Sequence, residues 1–74
     1  FTIDGNLADD ADTNDITITN DKVLATSVII TSASINVNID VHTVVTGSFK
    51  VRITNKSGAQ LNDNSTIIIN YIVL

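Results

Sequence analysis

A strict two-residue period in the middle of the chain constrains its fold more than any other feature. Apolar and polar side chains alternate over residues 35–42, and after a break at Gly47 they alternate again over residues 48–53. Successive side chains of a β-strand point to opposite faces, so this period predicts strands with one buried face and one face in water. We therefore expect at least two one-sided strands in this part of the chain.

The choice of apolar residues favours the same structure throughout the chain. The sequence has 12 isoleucines, 8 valines and 10 threonines, so 30 of its 74 residues are β-branched, and it has no proline or methionine. β-Branched side chains have few rotamers and suit a pleated sheet better than a helix. The sequence predicts an all-β fold, a small antiparallel and jelly-roll-like β-sandwich of about six to seven strands.

Polar and small residues mark where the strands end. The alternating residues 16–19 are followed by Asn-Asp-Lys at 20–22, which favours a turn and indicates a first hairpin. The small residues 32–34 predict a bend or bulge between two strands. The Asn-Lys-Ser-Gly sequence at 55–58 is the clearest turn signal of the chain.

The start of the chain is acidic and has little apolar content. We expect residues 1–15 to form an N-terminal arm or linker and residues 16–74 to form the sandwich domain. Four residues match parts of a calcium-loop spacing, namely Asp10, Asp12, Asn14 and Asp21. The loop lacks the glycine and the final glutamate of that motif, and no helix signal flanks it, so a solvated acidic segment is expected and no metal site is predicted.

The last nine residues, 66–74, are apolar on both faces of a strand. Such a strand has to lie between two layers, either inside a sandwich or between a sheet and a neighbouring subunit. The segment is also uncharged and free of proline, so it is an aggregation hazard unless it is covered. We therefore expect an obligate homo-oligomer. The residues predicted to form the subunit packing are Ile67, Ile68, Ile69, Tyr71, Ile72, Val73 and Leu74.

Charge and length argue against several function classes. The net charge is −4, and the only basic residues are Lys22, Lys50, Arg52 and Lys56. No basic patch is present to bind phosphates, so nucleic-acid binding is not expected. No apolar run approaches the roughly 20 residues of a membrane-spanning helix, so membrane insertion is not expected. A chain this small gains little from its own core and has no cysteine for a disulfide, which favours association with other chains.

Few residues of the chain can do chemistry. His42 is the sole histidine, and Asp40 lies two residues earlier on the same strand face, where a carboxylate can orient the imidazole. No nucleophile motif accompanies this pair, and a metal site would need ligands from several chains. We therefore expect no enzymatic activity and no cofactor.

The polar face of the same strand suggests a different kind of site. Its candidate contact residues are Asn36, Asn38, Asp40 and His42. Such side chains can bond sugar hydroxyls, so a cell-surface glycan is a candidate partner. Glycan sites usually add aromatic platforms, and the aromatic residues of this chain are only Phe1, Phe49 and Tyr71. A solvated strand face is the simpler interpretation.

Three stretches of the sequence resemble a small β domain of tailed-bacteriophage virion proteins. They are ITNDKVLATSVII at 18–30, GSFKVRITN at 47–55 and SGAQLNDNSTIIINYIVL at 57–74. In that family a strand ending in Asn leads to a Lys-Val-x-x-x-Ser segment, then to a Gly-Ser-Phe strand, an Asn-Gly turn region and a final apolar strand. The order of these elements is similar here over about three quarters of the chain.

The resemblance implies a structural role and a trimer. Domains of this kind resemble trimeric β-sandwich heads of capsid-decoration or cement proteins, head fibres, and tail fibres or spikes. We therefore expect a non-enzymatic homotrimer on the virion surface, outside the cell, whose partners are its own copies and other virion proteins such as the capsid. Two alternatives stay open, a receptor- or glycan-binding module of a tail fibre or spike, and a subunit of an extracellular filament.

Overall fold

The protein is all-β and antiparallel. A computed structural model describes all 74 residues and contains five strands and no helix. The strands are β1 (Ile16–Thr19), β2 (Ile29–Ala33), β3 (Val37–Val45), β4 (Ser48–Asn55) and β5 (Ile69–Val73). This count is lower than the six to seven strands predicted, because the remaining extended residues form only isolated bridges, Thr2 with Thr66, Leu7 with Leu61 and Asp12 with Thr54. No helix long and apolar enough to cross a membrane is found.

The strands form two sheets, one of three strands in the order β1-β4-β3 and one of two strands, β2 and β5. β3 and β4 form a hairpin whose turn contains Gly47, with a φ of 88° that glycine adopts without strain. β2 ends at Ala33 and β3 begins at Val37, so a bend does separate two strands, but it lies at residues 34–36, and Ser32 and Ala33 of the predicted bend belong to β2. The bend lets the chain pass from the smaller sheet to the larger one.

The first strand pairs differently from the prediction. The turn after β1 is present, since the Lys22 backbone N–H donates to Asn20 Oδ1 at 2.9 Å. However, β1 pairs with β4, so that Ile16 lies opposite Val51. The expected first hairpin is therefore wrong. The turn directs the chain across to the second sheet, and turn chemistry marks a change of direction without specifying the next pairing partner.

The core lies between the inner faces of the two sheets, in a sandwich-like arrangement. Only eight residues are buried, and the central strand β4 supplies Phe49, Val51 and Ile53. Phe49 packs edge-on against Tyr71 of β5, with ring centroids 5.1 Å apart and an interplanar angle of 71°. The inner and outer residues of β3 and β4 alternate over 37–41 and 49–53, which confirms the predicted one-sided strands.

The first fifteen residues pack on the sheets, whereas their composition predicted an arm or linker. Ile3 and Leu7 are buried in the same core cluster as Ile53 and Ile67. Backbone hydrogen bonds reinforce this packing, including Leu7 N to Leu61 O at 2.8 Å and the reverse bond at the same distance. The carboxylates of the segment stay in water, while its two buried apolar side chains anchor it to the core.

Candidate self-association surface

The outer face of the two-stranded sheet carries an exposed apolar strip. We use the term outer face for five side chains that keep between 51% and 68% of their surface exposed: Val28, Ile30, Ile68, Ile72 and Leu74. The antiparallel register brings them together. Ile30 lies directly opposite Ile72, and Val28 and Leu74 exchange backbone hydrogen bonds of 3.3 and 2.9 Å. Contiguous apolar surface of this kind marks interaction sites on soluble proteins.

Charge is absent from the outer face and its surroundings. Residues 23–39, which include β2, and residues 64–74, which include β5, contain no charged residue. Between the apolar side chains lie Ser32 and Asn70, which pair with each other across the two strands. A neutral apolar face repels neither a second copy of itself nor another apolar surface, and it gains free energy from leaving water.

The structure divides the seven predicted packing residues between two environments. Ile67 is buried, and Ile69, Tyr71 and Val73 pack inward against the chain's own core. Ile68, Ile72 and Leu74 point away from that core into water. Within one chain, β5 is therefore covered on its inner side only. The three outward residues are the part of the predicted set that a neighbouring molecule can cover.

Val28 and Ile30 were not among the residues predicted for subunit packing. Both belong to the unbroken apolar run Val28-Ile29-Ile30, in which inward and outward residues look alike. That run has the same two-faced character as the last strand. It was the signal that could have placed β2 beside β5 on the same exposed surface.

The outer side of the three-stranded sheet is polar. We call it the polar face, and it consists of Asn38, Asp40 and His42 of β3 with Lys50, Arg52 and Thr54 of β4. Asn36 lies in the bend before β3, where its Nδ2 donates to the Lys56 carbonyl at 2.9 Å. Oppositely charged Asp40 and Arg52 are paired across the strands. No aromatic side chain belongs to this face.

The histidine is oriented by a different carboxylate from the one predicted. His42 Nε2 lies 3.1 Å from Asp15 Oδ1, and its Nδ1 lies 2.8 Å from Thr43 Oγ1. Asp40 is not its partner, because β3 and β4 place Asp40 beside Arg52. Arg52 also reaches Asp15, with Nη2 at 2.9 Å from the same oxygen. Asp15 lies just before β1 and far along the chain from His42 and Arg52. Local sequence patterns therefore did not indicate that it would contact them.

These contacts set the protonation of Asp15. Partial desolvation acts to raise the pKa of its carboxyl, but the hydrogen bond from His42 and the charge of Arg52 outweigh it, so the pKa is lowered. All three side chains keep about a third or more of their surface in water. The cluster is thus a surface ion-pair network that ties the start of β1 to the larger sheet.

Asp10 and Asp12 of the acidic segment are engaged in other contacts. Asp10 pairs with Lys56 at 2.9 Å, and the hydrogen bond from Lys56 raises the pKa of that ammonium group. Asp12 accepts a hydrogen bond from Thr54 Oγ1. No group of three or more metal-ligating side chains is assembled anywhere in the structure. The calcium-loop spacing is therefore not realised as a set of converging ligands.

The largest cavity, of about 340 Å³, lies between the N-terminal segment and the start of β1. Its lining includes Asp4, Asp12 and Asp15 together with Ile3 and Leu7. Two of these carboxylates already accept hydrogen bonds from Thr54 and Arg52. Of the three carboxylates in the lining, only Asp4 has no hydrogen-bond partner.

Comparisons of the chain with known protein families, with curated proteins and with solved structures return no match.

Proposed function

We propose that the protein is a non-enzymatic structural subunit of a bacteriophage virion surface. In this proposal it packs as a homotrimer through the outer face, and either decorates and cements the capsid or forms the head of a fibre. The observation that supports self-assembly is the strip Val28, Ile30, Ile68, Ile72 and Leu74, which a single chain leaves half or more exposed. The virion setting and the trimer rest on the resemblance described above.

The energetic reason for assembly is the small size of the core. The chain buries only eight residues, and its two-stranded sheet is covered on one side only. A two-stranded ribbon alone is marginally stable in water. Full burial of a Val, Leu or Ile side chain contributes about 1.5–3 kcal/mol. For five half-exposed side chains, covering the outer face therefore contributes about 5 kcal/mol per chain. This gain adds to the stability that the core of each chain supplies by itself.

A closed trimer suits a face of this kind. Three outer faces turned toward one axis form a shared apolar interior. Because the trimer is closed, no outer face is left exposed to bind further copies. The polar face then lies on the outside of the assembly, where its charged side chains remain in water. Such a unit can attach to a capsid or a fibre through that polar exterior.

Hydrodynamic mass is the direct test of self-assembly. Sedimentation equilibrium at micromolar concentration should return a multiple of the chain mass, and a chain that sediments as a monomer would contradict the proposal. Electron cryomicroscopy of the particle that contains the chain tests the location. Density on a capsid lattice or at a fibre tip is expected, whereas density in a non-viral filament would favour the alternative of an extracellular filament.

A glycan-binding role has weaker support. The exposed Asn38 and Asp40 of the polar face are suitable sugar contacts, but Phe49 is buried and Tyr71 points into the core. The face therefore lacks the aromatic platform on which a sugar ring stacks. A glycan array probed with the assembled protein tests this alternative, and selective binding that Asn38→Ala abolishes would favour it over a purely structural role.

A further inference from the structure

The two-stranded sheet has an unpaired edge along β5. Val28 and Leu74 exchange backbone hydrogen bonds, so the alternation of an antiparallel ladder places the next bonded pairs at Ile30–Ile72 and Ser32–Asn70. The N–H and C=O groups of the intervening residues of β5 point the other way, and no strand lies there. We call these groups of Ile69, Tyr71 and Val73 the open edge of β5.

The N-terminal residues form an antiparallel ladder with residues 65–67, directly before the open edge and on the same side of the chain. The Ile67 N–H donates to Phe1 O at 2.7 Å, the Phe1 amino group donates to Ile67 O at 2.9 Å, and Ile3 N–H donates to Ser65 O at 2.9 Å. These bonds use residues 65 and 67, and Ile69, Tyr71 and Val73 continue the same odd-numbered series. The open edge is therefore in phase with an existing antiparallel pairing and geometrically ready for another strand.

The other edges of the two sheets are protected or turned inward. β3 carries Asp40 and His42 and has a bulge between His42 and Val45, both of which discourage edge pairing. β1 has only four residues and is flanked by Asp15 and Asp21. β2 contacts β3 of the same chain. β5 alone combines an uncharged, proline-free strand with an edge that faces no element of its own chain, which is the usual signature of a pairing site.

We propose that the open edge of β5 pairs with the same edge of a second copy of the chain. In the symmetric antiparallel register Tyr71 lies opposite Tyr71 of the second copy, and Ile69 lies opposite Val73. The three pairs exchange about six backbone hydrogen bonds and join the two smaller sheets into one of four strands. The inference rests on the proposed self-assembly and adds a second, two-fold contact to it.

A second copy fits this edge for two reasons. The register is self-complementary: the backbone N–H and C=O groups of Ile69, Tyr71 and Val73 on one chain face those of the same three residues on the other. The strand is also neutral over residues 64–74, so a chain of net charge −4 meets its copy without local repulsion. Outward-pointing Ile72 then falls opposite Asn70 of the second copy, and the two outer faces become one continuous apolar surface.

Amide hydrogen exchange on the unmodified assembly tests whether the edge is paired. The amides of Ile69, Tyr71 and Val73 should exchange at least about 100-fold more slowly than those of Ile39 and Val41, which face the open edge of β3. If the assembled protein exchanges both groups equally fast, the edge is free and the inference is overturned.

Disulfide trapping identifies the occupant of the edge. Asn70→Cys and Ile72→Cys proteins, unfolded and refolded together, should form a disulfide-linked pair of chains, because residues 70 and 72 are directly opposed in the proposed register. Each variant alone places its cysteines on a diagonal, about 7–8 Å apart, which is too far for a disulfide. Protected amides without a cross-link in the mixture would mean that another strand occupies the edge, and would overturn the pairing of two copies.

The number of chains separates this inference from the proposed function. A two-fold contact gives an even number of chains, and two closed trimers joined by such contacts give six. Light scattering that returns three chains would support the trimer and overturn the edge pairing. A single chain would contradict the proposed function itself.

Discussion

Ile30 and Ile72 face each other across the two-stranded sheet as a directly bonded pair, and both side chains point away from the core with more than half of their surface in water. A cross-strand apolar pair contributes roughly 0.2–1 kcal/mol through its own contact. That contact leaves most of both side chains hydrated. The larger gain is available only when a second layer covers the pair, and this makes the two residues the most informative positions for mutation.

We predict that Ile30→Asp and Ile72→Asp break the outer-face contact of the trimer while each chain stays folded. A carboxylate at either position has to lose its hydration when the outer face is covered, which costs several kcal/mol without a cationic partner. In the separated chain the same carboxylate remains in water, so β2 and β5 lose little. Sedimentation equilibrium should therefore report at most two chains, the pair that the open edge of β5 can still join, with a circular dichroism spectrum like that of the native protein.

Val45→Asp is the matched control for the charged variants. Val45 is also apolar and 44% exposed, but it lies at the end of the β3–β4 hairpin, on the other sheet. It should keep the native assembly mass. If Ile30→Asp and Ile72→Asp also keep that mass, the outer face is not the contact between subunits.

A second prediction concerns the centre of the core. Phe49 is fully buried and its ring meets Tyr71 edge-on, so Phe49→Ala should cost about 3–5 kcal/mol, enough to unfold most of the population of so small a domain. Tyr71→Phe keeps the ring and loses only the 3.1 Å hydrogen bond that Asn20 Nδ2 donates to the hydroxyl. It should cost about 1 kcal/mol. Urea unfolding measures both, and equal costs would show that the ring contact is unimportant.

The one-sided strands were predictable because apolar and polar residues alternate along them, and this alternation reports which side faces the core. Val37, Ile39 and Val41 alternate with polar residues, since one side of β3 faces the core and the other faces water. β5 lacks this asymmetry. Ile72 and Val73 are equally apolar in the sequence, and only the position of the three-stranded sheet decides that Val73 packs inward while Ile72 is exposed.

Long-range pairings left weaker traces in the sequence. Ile3 and Leu7 belong to a mostly acidic and polar segment, in which no sustained period shows that they are buried. The carboxylate partner of His42 lies 27 residues away, at Asp15. Such contacts depend on how the sheets are arranged in space, and turn chemistry and local periodicity do not carry that information. The fold class was therefore easier to predict than the pairing of strands and the long-range contacts within the fold.

A third prediction concerns Asn55, the buried polar residue at the end of β4. Its Nδ2 donates to the carbonyls of Leu7 at 3.1 Å and Ala59 at 2.8 Å, and its Oδ1 accepts from Ser57 N–H at 3.0 Å. Asn55→Ala leaves the Ser57 N–H unpaired and removes one of the two hydrogen bonds that each carbonyl accepts, since Leu61 N–H also donates to Leu7 O and Ser57 Oγ to Ala59 O. It should lower the free energy of unfolding by about 1–3 kcal/mol. Asn55→Asp should be worse, because a carboxylate oxygen then faces two carbonyls.

Asn38→Ala is the control for these variants, since Asn38 is exposed on the polar face and should change stability by no more than about 0.5 kcal/mol. Thermal unfolding of the variants in the Ile30→Asp background, at one fixed chain concentration, removes the contribution of outer-face assembly to the measured stability. An Asn55→Asp protein as stable as its parent would show that the hydrogen bonds to Leu7 and Ala59 do not hold the N-terminal segment.

The last prediction concerns the acid side of the stability profile. His42 and Arg52 lower the pKa of Asp15 in the folded chain, so the folded state keeps this carboxylate charged where the unfolded chain begins to bind protons. The resulting stabilisation is complete above the ordinary carboxyl pKa of about 4 and is lost as the pH falls through the lowered value. Asp15→Asn should therefore be less stable than the parent near neutral pH.

The difference between the two proteins should shrink as the solution becomes acidic. Below the lowered pKa the parent also carries an uncharged group at position 15, so its advantage over Asp15→Asn disappears. Urea unfolding from about pH 7 down to about pH 2 in the Ile30→Asp background measures this convergence. Asp21→Asn removes the same formal charge from a carboxylate outside the cluster, and it should not reproduce the effect. If the parent and Asp15→Asn instead lose stability in parallel, Asp15 is not the group that links folding to acid.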